Sequence, residues 1–146
     1  MRHYDADTMV RLVSEFRKSV ARLKKLSQLN KENFLSDPDK IGSAKYHFIV
    51  AIESSIDMCN HLISRNGFRV PEDYADTFRV LTEEGAFGKD FSNELVKMAK
   101  FRNRLVHIYW EVSDQQLWDI LSSRLADFKQ LLESLSDYIN PDLIKP

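Results

Sequence analysis

The sequence predicts an all-α protein, an up-down helical bundle of about five helices, and three observations predict it. Apolar side chains recur every three or four residues over long stretches, which is the period of one helix face. Glycine and proline number four each in 146 residues, too few for the turns of a β architecture. A hydrophobic share of 43% against 29% charged suits a globular chain that buries a core without staples. One core serves all the stripes, so residues 1–146 read as a single domain.

The first helix is expected from about Asp7 to Leu29, with Val13, Phe16, Val20, Leu23 and Leu26 on its apolar side. Asn30, Asn33 and Asp37 break it. Asp37-Pro38 has the form of an N-cap followed by proline at the first helical position. It opens a second helix, Pro38 to about Arg65, on the stripe Ile49, Ile52, Ile56, Cys59 and Ile63. Asn66-Gly67 closes that helix, glycine being suited to a left-handed cap. A link carrying Pro71 leads to a third helix, Asp73 to Glu83, which stops at Gly85. A fourth begins near Asp90 and buries Phe91, Leu95, Met98 and Leu105. The run VHIYWEV, residues 106–112, is β-branched and aromatic and forms helix poorly. Ser113 with Gln116 is a capping-box pattern. It opens a last helix to about Ile139 on Leu117, Leu121, Leu125, Phe128, Leu132 and Leu135, ended by Asn140-Pro141.

The formal net charge of −1 argues against a general nucleic-acid adhesive, but the total hides an uneven distribution. Residues 95–110 carry Lys97, Lys100, Arg102 and Arg104 with no acid, between acidic segments on either side. Lys97, Lys100 and Arg104 share one helix face, either a solvated stripe or an electrostatic track for RNA. Arg102 falls on the apolar side, four residues after Met98. A guanidinium there needs a partner or an anionic ligand, and Glu53, at the edge of the second helix's stripe, is a candidate partner. His107 follows Arg102 by five residues, about 140° around a continuing helix. The two side chains converge within one chain only if the helix ends or distorts near Val106.

Other chemistry is not encoded. Cys59 lies on a buried stripe and reads as an inert core thiol. A lone cysteine forms no internal disulfide and fits a reducing compartment. His3, His47 and His61 lack zinc-site spacing, so no metal and no cofactor are expected. No P-loop, GxGxxG or GxSxG is present. No apolar run reaches the roughly 20 residues of a membrane span, and acids stand where a signal peptide needs apolar residues. The expected location is the cytoplasm.

The string FRNRLVHIYWEV contains Arg, four residues, His, one residue, Tyr, complete as Arg102, His107 and Tyr109. It resembles the signature of HepT-like proteins of the HEPN superfamily. The stretch AIESSIDMCNHLISRNGFRVPEDYADTFRVL, with Glu53, Asn60-His61, Pro71 and Tyr74, is similar to the matching family segment, and so is VHIYWEVSDQQL. The resemblance implies a small all-helical homodimer. It implies a metal-independent ribonuclease, commonly the toxin of a toxin–antitoxin pair, with a minimal MNT-type nucleotidyltransferase as antitoxin. That partner transfers AMP to the motif tyrosine, which corresponds here to Tyr109.

The residue types suit the chemistry independently. RNA carries its own nucleophile, the 2′-OH, so cleavage needs proton transfer and charge stabilisation. His107 is suited to move protons near neutral pH. Arg102 is suited to brace a phosphate with a planar fork of donors. Asn103 is expected to orient the histidine or hold a phosphate oxygen, and Tyr109 to line the groove or stack on a base. A symmetric dimer would bring two histidines to one cleft. The competing reading is a non-catalytic RNA- or nucleotide-binding subunit that partners a minimal nucleotidyltransferase. A purely structural dimer module is a third.

Overall fold

A computed structural model describes residues 2–139, and all its regular structure is helical. Helix α1 spans Ala6–Ser27 and is capped by the Asp5 carboxylate, which accepts from the Thr8 backbone N–H. The expected break after it holds a helix of its own. Asn30 caps α2, Lys31–Leu35, by accepting from the Asn33 N–H, and so starts a turn instead of ending one. Phe34 of α2 is fully buried, its ring 5.2 Å from that of Trp118.

Helix α3, Pro38–Asn66, has the expected boundaries. Asp37 accepts from the Asp39 and Lys40 N–H groups, and Gly67 closes the helix at φ 65°. There a left-handed conformation favours a residue without Cβ. Helices α1 and α3 run antiparallel. The Asp5 N–H donates to His61 Nε2 at one end of the pair, and Ser19 faces His47 Nδ1 further along. Helix α4, Tyr74–Glu83, and helix α5, Lys89–His107, form a second pair, joined by the Thr82–Ser92 hydroxyl contact at 2.7 Å.

After α5 comes a 3₁₀ turn, Tyr109–Glu111. The Ser113–Gln116 capping box forms as expected and opens α6, Asp114–Ser123. The single last helix of the sequence reading is divided, because a separate α7 covers Ala126–Ile139. At the break Asp127 and Phe128 donate to carbonyls three residues back, and Arg124 reaches Glu94 of α5 (2.5 Å) and Asp127 (2.7 Å). The apolar spacing continues through the break, so the sequence reads as unbroken. With α2 this makes seven α-helices among the described residues, where about five were expected. The expected stop at Asn140-Pro141 lies outside the described residues.

Phe16, Phe48, Phe101 and Phe128 join α1, α3, α5 and α7 through edge and tilted ring contacts with centroids 5.4–6.3 Å apart. Burying such a side chain stabilises by roughly 1.5–3 kcal/mol. This cluster also sets the rotation of α5. Phe101 is locked against Phe48 of α3, which places the next residue, Arg102, at the margin of the same interface. No described helix is long and apolar enough to cross a membrane.

Candidate active site

Arg102 is the most enclosed motif residue, its side chain 11% exposed. Nε and Nη2 both donate to Glu53 Oε1, at 3.0 and 2.6 Å, and Nη1 donates to Asn103 Oδ1 at 3.1 Å. The partner suggested by the stripe edge is therefore the one present. Asn103, expected to serve His107 or a phosphate, places its amide oxygen on the guanidinium.

The Tyr74 ring lies under the Arg102 guanidinium, with Cζ 4.7 Å from the ring centroid. Tyr74 had no assigned role in the sequence. Its one local signal is an aromatic side chain at the first position of a helix whose core face is made by Ala75, Phe78 and Leu81. Asp73 caps that helix through the Asp76 N–H. Arg69, in the preceding link, grips it with two bonds to Asp76 (2.7 and 2.9 Å) and two to Glu83 (2.8 and 2.9 Å). Hydrogen bonds from Arg69, then from the Glu72 N–H, hold the Asp76 carboxyl down at about 2. This clamp also escaped the sequence reading, because its members are 7 and 14 residues apart across a loop.

His107 is the last residue of α5, which stays helical to its end. The Ile108 N–H donates to the Arg104 carbonyl at 3.0 Å. The distortion near Val106 that would bring His107 round to Arg102 is absent. The side chains stand about 140° apart around the axis and roughly 7.5 Å apart along it. His107 is exposed, and its side chain makes no hydrogen bond or ion pair among the described residues. His61 differs: its Nε2 accepts the Asp5 N–H at 2.8 Å, and burial, with Arg65 adding, pushes its pKa below the usual value. His47 is lowered too, by burial and then by Arg22.

Beyond His107 the backbone leaves the helix at Ile108, and Tyr109 and Trp110 project from the 3₁₀ turn, 59% and 68% exposed. Their rings meet edge to face at 5.4 Å. Of the three basic candidates, only Lys100 makes no ion pair or side-chain hydrogen bond among the described residues. Lys97 approaches Glu94 at 3.3 Å. Arg104 Nη2 donates to the Glu111 carbonyl (3.3 Å) and Gln116 Oε1 (3.4 Å), clasping the turn after the motif to the start of α6. Cys59 is fully buried, and burial raises its thiol pKa far above the usual range. Among the described residues no group of three or more His, Cys, Asp or Glu is arranged to hold a metal ion.

Comparison with known proteins places these features. The family pattern described as Ribonuclease HepT-like matches residues 16–135, which include Glu53, Tyr74 and the whole motif. An mRNA nuclease HepT of Shewanella oneidensis is 28% identical over 81 residues, 56% of this chain, and the chain spans 61% of that relative's length. A putative RNase of Archaeoglobus fulgidus is 32% identical over 110 residues, 71% of this chain and 80% of its own. Among solved structures, the tri-AMPylated Shewanella oneidensis HEPN toxin in complex with MNT antitoxin has a similar fold. Its TM-score is 0.82 at 21% identity, over 90% of this chain and 98% of that one. The Bacillus subtilis cytosolic protein YutE superposes with a TM-score of 0.81 at 18% identity, over 100% and 98%. The all-helical fold is thus shared with that HEPN toxin and with YutE. With the family pattern running through most of the chain and a relative at 32% identity beside it, the chain belongs to the HepT-like ribonuclease family.

Proposed function

We propose that this protein is a metal-independent ribonuclease toxin with Arg102 and His107 as its catalytic residues. It acts as a homodimer and is restrained by an MNT-type nucleotidyltransferase that AMPylates Tyr109. The observation that carries the reading is the contrast between the histidines. His61 is satisfied within the fold, whereas His107 is exposed and its side chain unengaged at the end of the helix that carries Arg102. A buried packing role would give His107 a partner, whereas an exposed ring can reach the proton of a bound substrate.

In the reaction the RNA 2′-oxygen attacks the adjacent phosphorus and loses its proton to a base. The P–O5′ bond breaks, and the departing oxygen takes a proton, leaving a 2′,3′-cyclic phosphate. Arg102 balances charge on the phosphoryl oxygens. His107 serves one proton transfer, and because one chain offers a single motif histidine, the second copy supplies the other. Lys100, with Lys97 and Arg104 on its face, guides the RNA backbone. AMP on Tyr109 adds a charge and a bulky nucleoside where RNA enters.

The Arg102–Glu53 pair is the observation that favours a non-catalytic reading, in which Arg102 is a structural ion-pair residue; the competing non-catalytic function is a binding subunit that partners a minimal nucleotidyltransferase. The deciding experiment incubates purified protein with RNA in EDTA. Wild type cleaves and His107→Ala does not, with unchanged melting. Equal cleavage by both rejects the site. No cleavage by wild type, with tight binding to a nucleotidyltransferase partner, establishes the binding subunit.

A further inference from the structure

A guanidinium carries five N–H donors in a rigid plane. In Arg102 three are spent inside the protein, two on Glu53 Oε1 and one on Asn103 Oδ1. One donor on Nη1 and one on Nη2 remain, the pair a phosphate takes. Glu53 and Asn103 grip the group's edges, and hydrogen bonds at the edge leave a long side chain free to tilt out of its plane. Arg102 Cζ stands over the face of the Tyr74 ring, 4.7 Å from its centroid, so the ring blocks the group from swinging toward α4.

We propose that Tyr74 is a positioning residue for Arg102, its ring acting as a platform that keeps the two remaining donors aimed at the RNA phosphate. Three observations beyond the contact support this. Tyr74 is 41% exposed at the start of α4, where it fills no place in the core. Its hydroxyl makes no hydrogen bond among the described residues, so the ring face is the part in use. The backbone that carries it is held on both sides, by the Asp73 cap and by the four Arg69 bonds to Asp76 and Glu83. A clamp of that strength beside a solvent-exposed aromatic has the form of a support behind a precisely aimed group.

The inference rests on the ribonuclease reading for its catalytic consequence, and its test separates the two. Tyr74→Phe keeps the platform and Tyr74→Leu removes it at similar volume. For RNA cleavage, Tyr74→Leu lowers kcat by about 10-fold or more with KM within about threefold, and Tyr74→Phe stays within about twofold of wild type. A rise in KM alone would show that the ring holds RNA directly and overturns the proposal, as does failure of Phe to restore the rate. The second measurement needs no activity. In 15N NMR of the full chain, the Arg102 Nε–H signal is shifted by the ring current and slow to exchange with solvent in wild type and Tyr74→Phe. In Tyr74→Leu it moves toward the free-arginine position and exchanges faster. An unmoved signal overturns the proposal whatever the activity. If wild type cleaves no RNA while the signal behaves as stated, the ribonuclease reading fails and the platform stands.

Discussion

Arg102 and Glu53 meet through one oxygen, Oε1 of the carboxylate taking both Nε and Nη2, although 49 residues separate the two in sequence. The pair is asymmetric, with the arginine side chain 11% exposed and the glutamate 41%. Solvent therefore screens the carboxylate, and the pair adds only about 0–1 kcal/mol to stability. Its larger effect is on orientation. Glu53→Ala is expected to lower RNA cleavage about 10-fold while moving the melting temperature by only a few degrees. Glu53→Gln, which keeps the acceptor oxygen, should lie between. Single-turnover cleavage with thermal melts checks both.

Tyr109 stands out from the 3₁₀ turn, exposed to solvent, with its ring and that of Trp110 meeting edge to face. Incubated with ATP and the proposed nucleotidyltransferase partner, the protein should gain one or more AMP masses on the Tyr109 oxygen as pyrophosphate leaves, and lose cleavage in step. Tyr109→Phe should gain none. Peptide mapping by mass spectrometry locates the adduct; placement on another residue sinks this assignment.

The Arg69–Asp76–Glu83 clamp ties the 67–73 link to α4. Asp76→Asn removes a charged acceptor of two arginine bonds; with the Arg69 side chain 43% exposed and screened by solvent, the expected cost in urea unfolding is about 1 kcal/mol. The sign with pH follows from the lowered carboxyl, at about 2 against the usual 3.8. Its contribution is complete above about pH 4 and is lost as pH falls through about 2. Asp76→Asn should therefore flatten acid destabilisation across that window.

His61 is neutral where it accepts the Asp5 N–H, and its pKa is lowered by burial and Arg65. A depressed histidine favours the folded state while uncharged, so its stabilisation is present above about pH 6.5 and falls away as pH drops through the folded value. His61→Gln offers an acceptor that does not titrate. Melting curves between pH 7 and pH 5 should show a smaller decline for the variant than for wild type.

Cys59 should resist alkylation in the native protein and react only on unfolding, since burial opposes the thiolate. Iodoacetamide labelling at pH 8 with and without urea reads this directly; prompt labelling of native protein would contradict the burial.

Helix placement was legible because it rests on local information. Asp37-Pro38, Asn66-Gly67 and the Ser113–Gln116 box each act within four residues, and the apolar stripes repeat at the helix period. The two departures arise where local signals have two outcomes. Asn30, of a type that breaks helices and also caps them, opens α2 here, and the apolar spacing of Leu121, Leu125 and Phe128 is the same for a straight helix as for one broken at Arg124–Leu125. Longer-range polar contacts such as Arg124 to Glu94 accompany the broken form.

For the site, the sequence by itself determined the residue types and their order along α5: Arg102 toward the interface, Lys97, Lys100 and Arg104 together on another face, His107 five residues on. Helix geometry alone dictates these relations. Tertiary structure decided what each side chain meets. It gave Arg102 the Glu53 carboxylate and the Tyr74 ring, turned Arg104 to clasp Glu111 and Gln116, and left His107 unengaged. The reason is that spacing along one helix sets an azimuth, whereas the partners of Arg102 come from α3 and α4, whose approach to α5 is set by core contacts such as Phe48 on Phe101.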